Sequence, residues 1–442
     1  MTLHQIPSLP RWLPWRRLLT LTPIGLILGL AAGGGVAPLQ GQEGLHPFVQ
    51  DARPLLDARL RYERVDQDGF EENANGLTLR ARLGVESGAV SGFRVLAEGD
   101  LTRALGLDDF NSTVNGRTEY PVIADPDSER INRLHLTWED PRGWSAVLGR
   151  QRIIHDNARF VGNVGFRQNE QTFDALRLRT PTFEGVTLDY SYLWQANRIN
   201  GSNSPVGQVD TDTHLFRATW TVPIGTIGAH AYWMELDDLS PANSNRTLGV
   251  RLDGSRAVDE EWQAVYSAGW SQQSEHGGRP GEFTLSFWEL DGGVAGPAGP
   301  GRFTLRGGVE TLGGDREGRG FVTPLATLHL FQGFADVFLS TPPGGLQDRR
   351  LRASFTGVTA PRLGPLRVAL AYHDYERDVS AAGAGGSPGS IPSFTDLGRE
   401  WNVTVSAQPR PGVTLMLEWA DYEAADGNGV RKGWLSAAVA LP

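Results

Sequence analysis

Apolar and polar residues alternate along many short stretches of the chain. In Leu77 to Glu86 (LTLRARLGVE), leucine, alanine and valine occupy every second position, and mostly polar residues stand between them. Val186 to Gln195 (VTLDYSYLWQ) and His214 to Val222 (HLFRATWTV) repeat the pattern with aromatic residues on the apolar side. Because successive side chains of a strand point to opposite faces, this period predicts β-strands with one apolar and one polar face.

Strands predicted in this way follow one another from residue 55 to the end of the chain. No run of 18 or more apolar residues occurs after the N-terminal region, so no transmembrane helix is expected there. The predicted strands lie near 55–65, 77–87, 93–103, 131–138, 144–150, 172–180, 186–196, 213–222, 227–234, 246–253, 262–271, 282–290, 302–310, 350–359, 366–377, 400–407, 413–422 and 433–441.

The connections between these strands distinguish two architectures. A soluble sandwich buries its apolar faces between sheets, whereas a transmembrane barrel turns them toward lipid and keeps polar side chains in the lumen. Connections after even-numbered strands are short and those after odd-numbered strands are mostly long, as in outer-membrane barrels. The sequence therefore predicts an all-β fold, a transmembrane antiparallel β-barrel of about 18 strands with short periplasmic turns and long extracellular loops. The longest predicted loops are 104–130, 151–171, 311–349 and 378–399.

The N-terminal region has the order of a secretory signal. Arginines precede an apolar run over 18–32, and small residues and a polar stretch follow it. This order of charged, apolar and small residues is typical of an exported protein. The alternative is a single membrane anchor, which Pro23 and the glycines after the run disfavour. The expected division is a signal peptide over 1–41, a periplasmic N-terminal segment over 42–54 and the transmembrane barrel over 55–442.

Composition and isolated polar motifs exclude several classes of function. A net charge of −10 argues against a nucleic-acid partner, for which a basic surface is expected. The absence of cysteine rules out disulfides, cysteine-based zinc sites and thiol catalysis. The pair His155-Asp156 could belong to a catalytic site, but the sequence around it offers no serine or cysteine nucleophile. Asp210, Asp212 and His214 are interpreted as a loop that leads into a strand rather than as a metal site. We expect no enzyme, no catalytic residue, no cofactor and no metal.

One stretch, Gly149 to Gln171 (GRQRIIHDNARFVGNVGFRQNEQ), concentrates arginine among glycine and asparagine. Residues 149–176, which contain it, and 324–348 (PLATLHLFQGFADVFLSTPPGGLQD) resemble two signature segments of the alginate-export family of outer-membrane porins. The resemblance implies a monomeric barrel in which an external loop folds inward and places arginines at a constriction. Leu330 stands where the family pattern has a basic residue.

Arginines are the candidate pore residues because a guanidinium stays charged at physiological pH and binds carboxylates bidentately. Such groups at a constriction create a positive field over a passing anion. The alternative for each wall arginine is a structural ion pair with a neighbouring acid. Arg349 and Arg350 are expected at the external end of the long loop. The resemblance implies Arg150, Arg152, Arg159 and Arg167 for the constriction, Arg59, Arg61, Arg80, Arg82, Arg133, Arg177, Arg179, Arg217 and Arg251 for the barrel wall, and Asp57, Glu63, Glu98 and Asp174 as facing acids.

Together these features predict a passive, non-enzymatic channel in the cell outer membrane. Its expected solutes are anions, and the resemblance implies export of an acidic, alginate-like polysaccharide. The alternative is a general nutrient-uptake porin without polysaccharide specificity, in which the arginines only set the electric field across the pore. The expected partners are outer-membrane lipid, the barrel assembly machinery and the anionic solute or polysaccharide, with the barrel as a monomer.

Overall fold

The computed structural model describes residues 46–236, 238–279, 281–379 and 395–441. Within these ranges the chain forms the helix α1, two short 3-10 helices and eighteen strands, which confirms the predicted strand order. No helix in this part of the chain is long and apolar enough to cross a membrane. The predicted signal peptide lies outside the described residues, and the division at 41 and 54 stays a prediction. The elements are α1(His46–Gln50), β1(Arg53–Gln67), β2(Ala74–Glu86), β3(Phe93–Asp109), β4(Ser128–Glu139), β5(Ser145–Gln151), β6(Thr172–Arg179), β7(Val186–Asn197), β8(Gln208–Val222), β9(Gly225–Met234), β10(Asn245–Ala257), β11(Gln263–Ser274), β12(Thr284–Ala298), β13(Gly301–Leu312), β14(Leu346–Ala360), β15(Gly364–Glu376), β16(Asp396–Arg410), β17(Val413–Glu423) and β18(Gly429–Leu441), with 3-10 helices at Pro241–Asn243 and Leu328–Leu330.

The strands form one closed sheet. Each strand pairs antiparallel with the next in chain order, and β1 pairs with both β2 and β18. In the closing pair, Leu56 lies opposite Leu441 and Gln67 lies opposite Val430. The first and last strands therefore satisfy each other's backbone hydrogen bonds, and the sheet closes without a free edge, as a membrane-spanning barrel requires.

Short and long connections alternate around the barrel as predicted. The turns 223–224 and 411–412 join β8 to β9 and β16 to β17, whereas 152–171 joins β5 to β6 and 313–345 joins β13 to β14. Outer-membrane barrels carry their long loops outside the cell. The end with the long connections is accordingly called the external end, and the end with the short turns is called the periplasmic end.

The wall is apolar outside and polar inside. On β2 the side chains of Arg80 and Arg82 are buried toward the lumen, while Leu79 and Leu83, on either side of this pair, lie on the partly exposed outer face. Inward and outward side chains alternate on β7 in the same way, and Asp189 is buried toward the lumen. An apolar outer face on a closed barrel inverts the arrangement of a soluble protein and suits contact with lipid.

Strand β12 is longer than its composition predicts. The sequence favours a loop after residue 290 because of the glycines and the proline in DGGVAGPA, yet β12 continues to Ala298. A Cβ on Gly293 would lie 2.0 Å from the Leu305 carbonyl oxygen, and one on Gly296 would lie 2.3 Å from the Trp262 ring. The glycines therefore allow close approach of neighbouring strands rather than ending this one.

Candidate functional site

The connection between β5 and β6, here the first inward segment (152–171), crosses the lumen. Arg217 of β8 donates to Asp156 at 2.6 Å, and Gln168 donates to the Thr78 hydroxyl of β2 at 2.9 Å. Strands β2 and β8 lie apart in the barrel order, so a segment that contacts both must run through the interior. The inward fold expected for this stretch is therefore present.

The backbone of the first inward segment is strained. Asp156, Ala158 and Val164 adopt φ angles of 50°, 67° and 50°, in the left-handed region that favours glycine. A β-branched residue such as valine is rare there. Such strain persists only where the surroundings fix the backbone, and here the N–H of Val164 donates to the Thr327 hydroxyl at 3.0 Å.

The connection between β13 and β14, here the second inward segment (313–345), packs against the first. Val161 and Leu325 form a parallel bridge, and the N–H of Gly162 donates to the Leu325 carbonyl at 2.9 Å. The N–H of Thr327 donates to the Ala158 carbonyl at 3.0 Å. A Cβ on Gly162 would lie 2.2 Å from the Thr327 hydroxyl oxygen, so only glycine fits this contact.

Two of the predicted constriction arginines anchor these segments in the lumen. Arg159 is 1% exposed and donates to Glu310 of β13 at 3.0 Å. Arg167 lies between Glu63 of β1, at 3.0 Å, and Asp336 of the second inward segment, at 3.2 Å. Burial acts to lower the pKa of Arg167, but the neighbouring carboxylates outweigh it and raise that pKa above its ordinary value. Both guanidinium charges are thus held by acids of the protein.

Glu170 fixes the end of the first inward segment to the wall. Its carboxylate accepts from Arg152 at 2.6 Å and from Asn132 of β4 at 2.5 Å, and Arg82 of β2 lies 3.5 Å away. Burial alone would raise the pKa of Glu170, but Arg82 and Arg152 more than offset it and lower the pKa to about 2. The carboxylate therefore stays charged where two wall strands meet the segment.

The remaining predicted residues also face the lumen, and most of the arginines pair with acids. Arg150 lies at the end of β5 and binds Asp174 at 2.7 Å. Arg59 donates to the Gln168 side chain, and Arg61 donates to Ser436 and lies over the Phe166 ring. This pattern favours structural ion pairs for many wall arginines, while their part in permeation stays a prediction. The other pairs are Arg80–Asp57, Arg82–Asp100, Arg133–Glu98, Arg177–Asp189, Arg179–Asp189, Arg217–Asp156 and Arg251 with Asp253 and Glu289.

Part of the lumen beside β10 to β16 is open. A cavity of about 510 Å³ has arginines on its wall and the apolar side chains of the second inward segment on its inner side. Leu330, which replaces the basic residue of the resemblance, is 57% exposed and lines this cavity with Phe331 and Phe334. The arginines that line the cavity are Arg251, Arg306, Arg350, Arg352 and Arg367.

Acids do not fully neutralise this side of the lumen. The buried Asp291 is shared, since Arg306 and Arg352 both donate to it and Arg350 lies 3.7 Å away. The Arg352 side chain is 41% exposed. Arg367 is exposed, and among the described residues it has no ion pair. Five arginines but only two acids, Asp253 and Glu289, line the cavity itself, while the other acids that contact these arginines are buried behind them. The exposed guanidinium groups of Arg352 and Arg367 therefore favour a positive potential at the cavity surface.

The expected position of Arg350 is wrong. Its side chain points into the lumen, 3.1 Å from Glu289 and 3.3 Å from Glu310, because β14 begins at Leu346 rather than near 350. Arg349, one residue earlier, faces the other way and binds Glu376 at 2.7 Å. Alternation within RRLR could have identified Arg350 and Arg352 as lumen residues; the sequence reasoning also missed Arg306 and Arg367.

Two motifs considered for chemistry take ordinary places in the barrel. His155 accepts or donates a hydrogen bond with the Tyr232 hydroxyl at 2.9 Å, and burial lowers the pKa of His155 to about 4. Asp210, Asp212 and His214 belong to β8, which begins at Gln208, so their interpretation as a loop is wrong. Among the described residues no group of acids and histidines could hold a metal ion.

Comparison with known proteins shows the fold. No family model matches the chain, and no curated protein does. Among solved structures, Pseudomonas aeruginosa OpdL is 19% identical with a TM-score of 0.64, over 89% of this chain and 99% of that one. OccD3 (OpdP) of the same organism is 14% identical with a TM-score of 0.65, over 92% and 95%. The outer membrane protein OpdK, also of P. aeruginosa, is 17% identical with a TM-score of 0.64, over 89% and 99%.

The chain has the fold of an outer-membrane porin. Its apolar outer face and closed barrel are those of a protein of the outer membrane, as predicted. The resemblance of 149–176 and 324–348 to the alginate-export family is not supported, because no family model matches and the structural neighbours are the Opd and Occ proteins.

Proposed function

We propose that the barrel is a passive, non-enzymatic outer-membrane channel for the uptake of small anionic solutes. The observation that carries the proposal is the cavity of about 510 Å³ beside β10 to β16, which is lined by five arginines and only two acids. Anion preference is the part of the proposal that goes beyond the porin fold.

The arginines lie at successive depths along the cavity wall. Arg350 is nearest the external end of β14, Arg306 of β13 and Arg352 of β14 lie opposite each other below it, and Arg367 lies near the start of β15 at the periplasmic end. Two unit charges about 5 Å apart attract by about 3 kcal/mol at an effective dielectric of about 20. A carboxylate could thus pass from one guanidinium to the next without a deep energy minimum.

Export of an acidic polysaccharide is the less favoured alternative. The two inward segments are hydrogen-bonded to each other and ion-paired to the wall through Arg159, Arg167 and Glu170, so they narrow the external part of the lumen. The remaining cavity suits a small solute better than an extended polymer. The structural likeness of this chain to the Opd and Occ proteins also supports passive uptake of solutes rather than polymer export.

Reversal potentials in planar bilayers test the anion preference. The double variant Arg306→Gln with Arg352→Gln removes two positive charges from the lumen. The single variant Arg367→Gln removes the charge of an arginine that has no ion pair among the described residues, so we expect this variant to fold normally. We expect both variants to shift the reversal potential in a salt gradient toward cation preference. The matched control is Arg349→Gln, on the same strand as Arg352 but facing outward, which should leave selectivity unchanged. A wild-type channel without anion preference would contradict the proposal and favour a general porin.

A further inference from the structure

Two histidines flank one tyrosine where the first inward segment meets the barrel wall. His155 of the segment shares a hydrogen bond with the Tyr232 hydroxyl of β9 at 2.9 Å, and the His230 ring stacks on Tyr232 with the ring centroids 4.8 Å apart. Phe160, also of the segment, packs against His230 with the ring centroids 4.9 Å apart. These four residues, here the histidine cluster, form part of the surface on which the segment is docked.

The histidine cluster is closed to solvent and has apolar neighbours. His155 is 2% exposed, and Tyr232 belongs to a core of buried apolar side chains that also contains Ile153 and Leu215. The Nε2 atom of His155 is buried and has no hydrogen-bond partner among the described residues. A protonated imidazole donates from both nitrogens, so protonation of His155 in the docked segment would leave a buried N–H without an acceptor.

The hydrogen-bond partners of both histidines are neutral. His155 binds the Tyr232 hydroxyl, and His230 binds the Ser271 hydroxyl at 3.2 Å. Neither histidine has an ion pair with a carboxylate in the part of the chain that the structure describes. Two other lumen histidines do bind carboxylates, each at 2.9 Å, in the pairs His329–Asp336 and His373–Asp348. A positive charge would be compensated in those pairs but not in the histidine cluster.

The charged groups that face the histidine cluster are already paired with one another. Arg217 of β8 binds Asp156 at 2.6 Å, and Arg177 of β6 binds Asp189 of β7. On the β10 side, near His230, the pairs are Arg251–Asp253 and Arg251–Glu289. Because arginines neutralise these acids, an imidazolium in the cluster would add an unbalanced buried charge, which is costly.

Burial favours the neutral form of His155. It lowers the pKa of His155 from its ordinary value to about 4, although Asp189 acts in the opposite direction. A histidine in water takes up a proton near pH 6.5, or about 2.5 units higher. Docked His155 therefore stays neutral down to about pH 4, whereas a released His155 is protonated below about pH 6.5. Release becomes more favourable as the pH falls through this range.

The docked part of the segment covers the arginine-lined cavity. Asn157 lies between His155 and Phe160 in the chain and lines that cavity together with Glu289 of β12. Phe160 packs against Phe287, which precedes Glu289 on β12 and therefore lies nearer the external end. Movement of residues 155–160 away from β9 would widen the cavity on its external side.

We infer that the histidine cluster is an acid-sensitive latch, which releases the start of the first inward segment and opens the cavity when its histidines take up protons. The inference rests on the proposed channel function, but not on its anion preference. For a pKa of about 4 in the docked segment and about 6.5 after release, lowering the pH from 8 to 5 favours release by about 30-fold.

Amide hydrogen exchange and single-channel recording of the full chain at pH 8 and pH 5 test the inference. After correction for the intrinsic effect of pH on exchange, residues 153–162 of the wild type should exchange about 30-fold faster at pH 5, while the strands keep their protection. Mean conductance should rise with this exchange. The variant His155→Gln with His230→Gln keeps hydrogen-bonding groups but does not titrate, so it should lose both pH effects. The control His214→Gln, outward-facing on β8, should keep both.

Several results would overturn the inference. Equal exchange of residues 153–162 at both pH values in the wild type would do so without any variant. A pH response that survives in the double variant, or that is lost in His214→Gln, would assign it to other groups. Higher conductance without faster exchange would indicate altered pore charge rather than release. Heat-modifiable mobility on gels verifies that each variant is folded. Reversal potentials at pH 8 test the proposed function separately, since a wild type without anion preference would contradict that function and leave the latch intact.

Discussion

Glu170→Gln should loosen the first inward segment without unfolding the barrel. The substitution keeps the shape of the side chain but removes the charge that holds Arg82 and Arg152. A pKa of about 2 in place of 4.5 corresponds, at 1.36 kcal/mol per pKa unit, to about 3 kcal/mol in favour of the charged carboxylate. Breaking a buried ion pair by removing one partner costs about 3–5 kcal/mol, which agrees with this value.

A loss of about 3 kcal/mol raises the population of an undocked segment by about 100-fold. Single-channel recordings in planar bilayers should therefore show larger current fluctuations and a higher mean conductance than the wild type. Amide hydrogen exchange should increase over 163–171, while the strands keep their protection.

The matched control is Glu260→Gln, which makes the same change on an exposed side chain in the turn 258–262, with no ion pair among the described residues. It should leave both measurements unchanged. If Glu170→Gln matched the wild type in current noise, conductance and exchange, the reasoning that Glu170 fixes the segment would be wrong.

Other contacts of the inward segments, and the orientation of the barrel, give further predictions. The pKa of Glu170 in the folded protein lies below its ordinary value, so the stabilising effect of its carboxylate is present above about pH 4.5 and is lost as the pH falls toward about 2. Current noise should therefore rise over this pH range, and constant noise would contradict the prediction. Gly162→Ala, whose Cβ would meet Thr327, should destabilise the barrel by about 1–3 kcal/mol in heat-modifiability midpoints, whereas Gly292→Ala, whose Cβ meets nothing within 4 Å, should not. An epitope tag at Ser204 should be accessible on intact cells and one at Ile224 should not, and the reverse result would invert the orientation of the barrel. A tag at Gly385, which lies outside the described residues, is also predicted to be accessible.

The strands could be predicted because each carries its own signal. Lipid outside and water inside impose a period of two on every strand, so local alternation such as that of Leu79, Arg80 and Leu83 is sufficient to detect them. Strand ends were less predictable. Pairing extends β12 through Gly293 and Gly296, whose composition favours a loop, because neighbouring strands supply the hydrogen bonds.

The distribution of lumen charge could not be predicted in the same way. Whether an arginine is neutralised depends on which acid lies opposite, and that depends on register and on segments distant in the chain, as for Arg159 and Glu310. The sequence drew attention to the arginines of 149–171, which the protein uses largely as anchors. The less neutralised guanidinium groups are those of Arg352 and Arg367, on strands without an unusual motif.

The central claim, that anions pass through the arginine-lined cavity, is tested most directly by a single cysteine within it. Thr304 lines the cavity beside Arg306, and the chain has no cysteine of its own. In Thr304→Cys we predict that an anionic methanethiosulfonate reagent reacts faster than a cationic one and reduces the single-channel current. In the outward-facing control Ser286→Cys, neither reagent should change the current. Faster reaction of the cationic reagent with Thr304→Cys, or modification without any change in current, would contradict the claim.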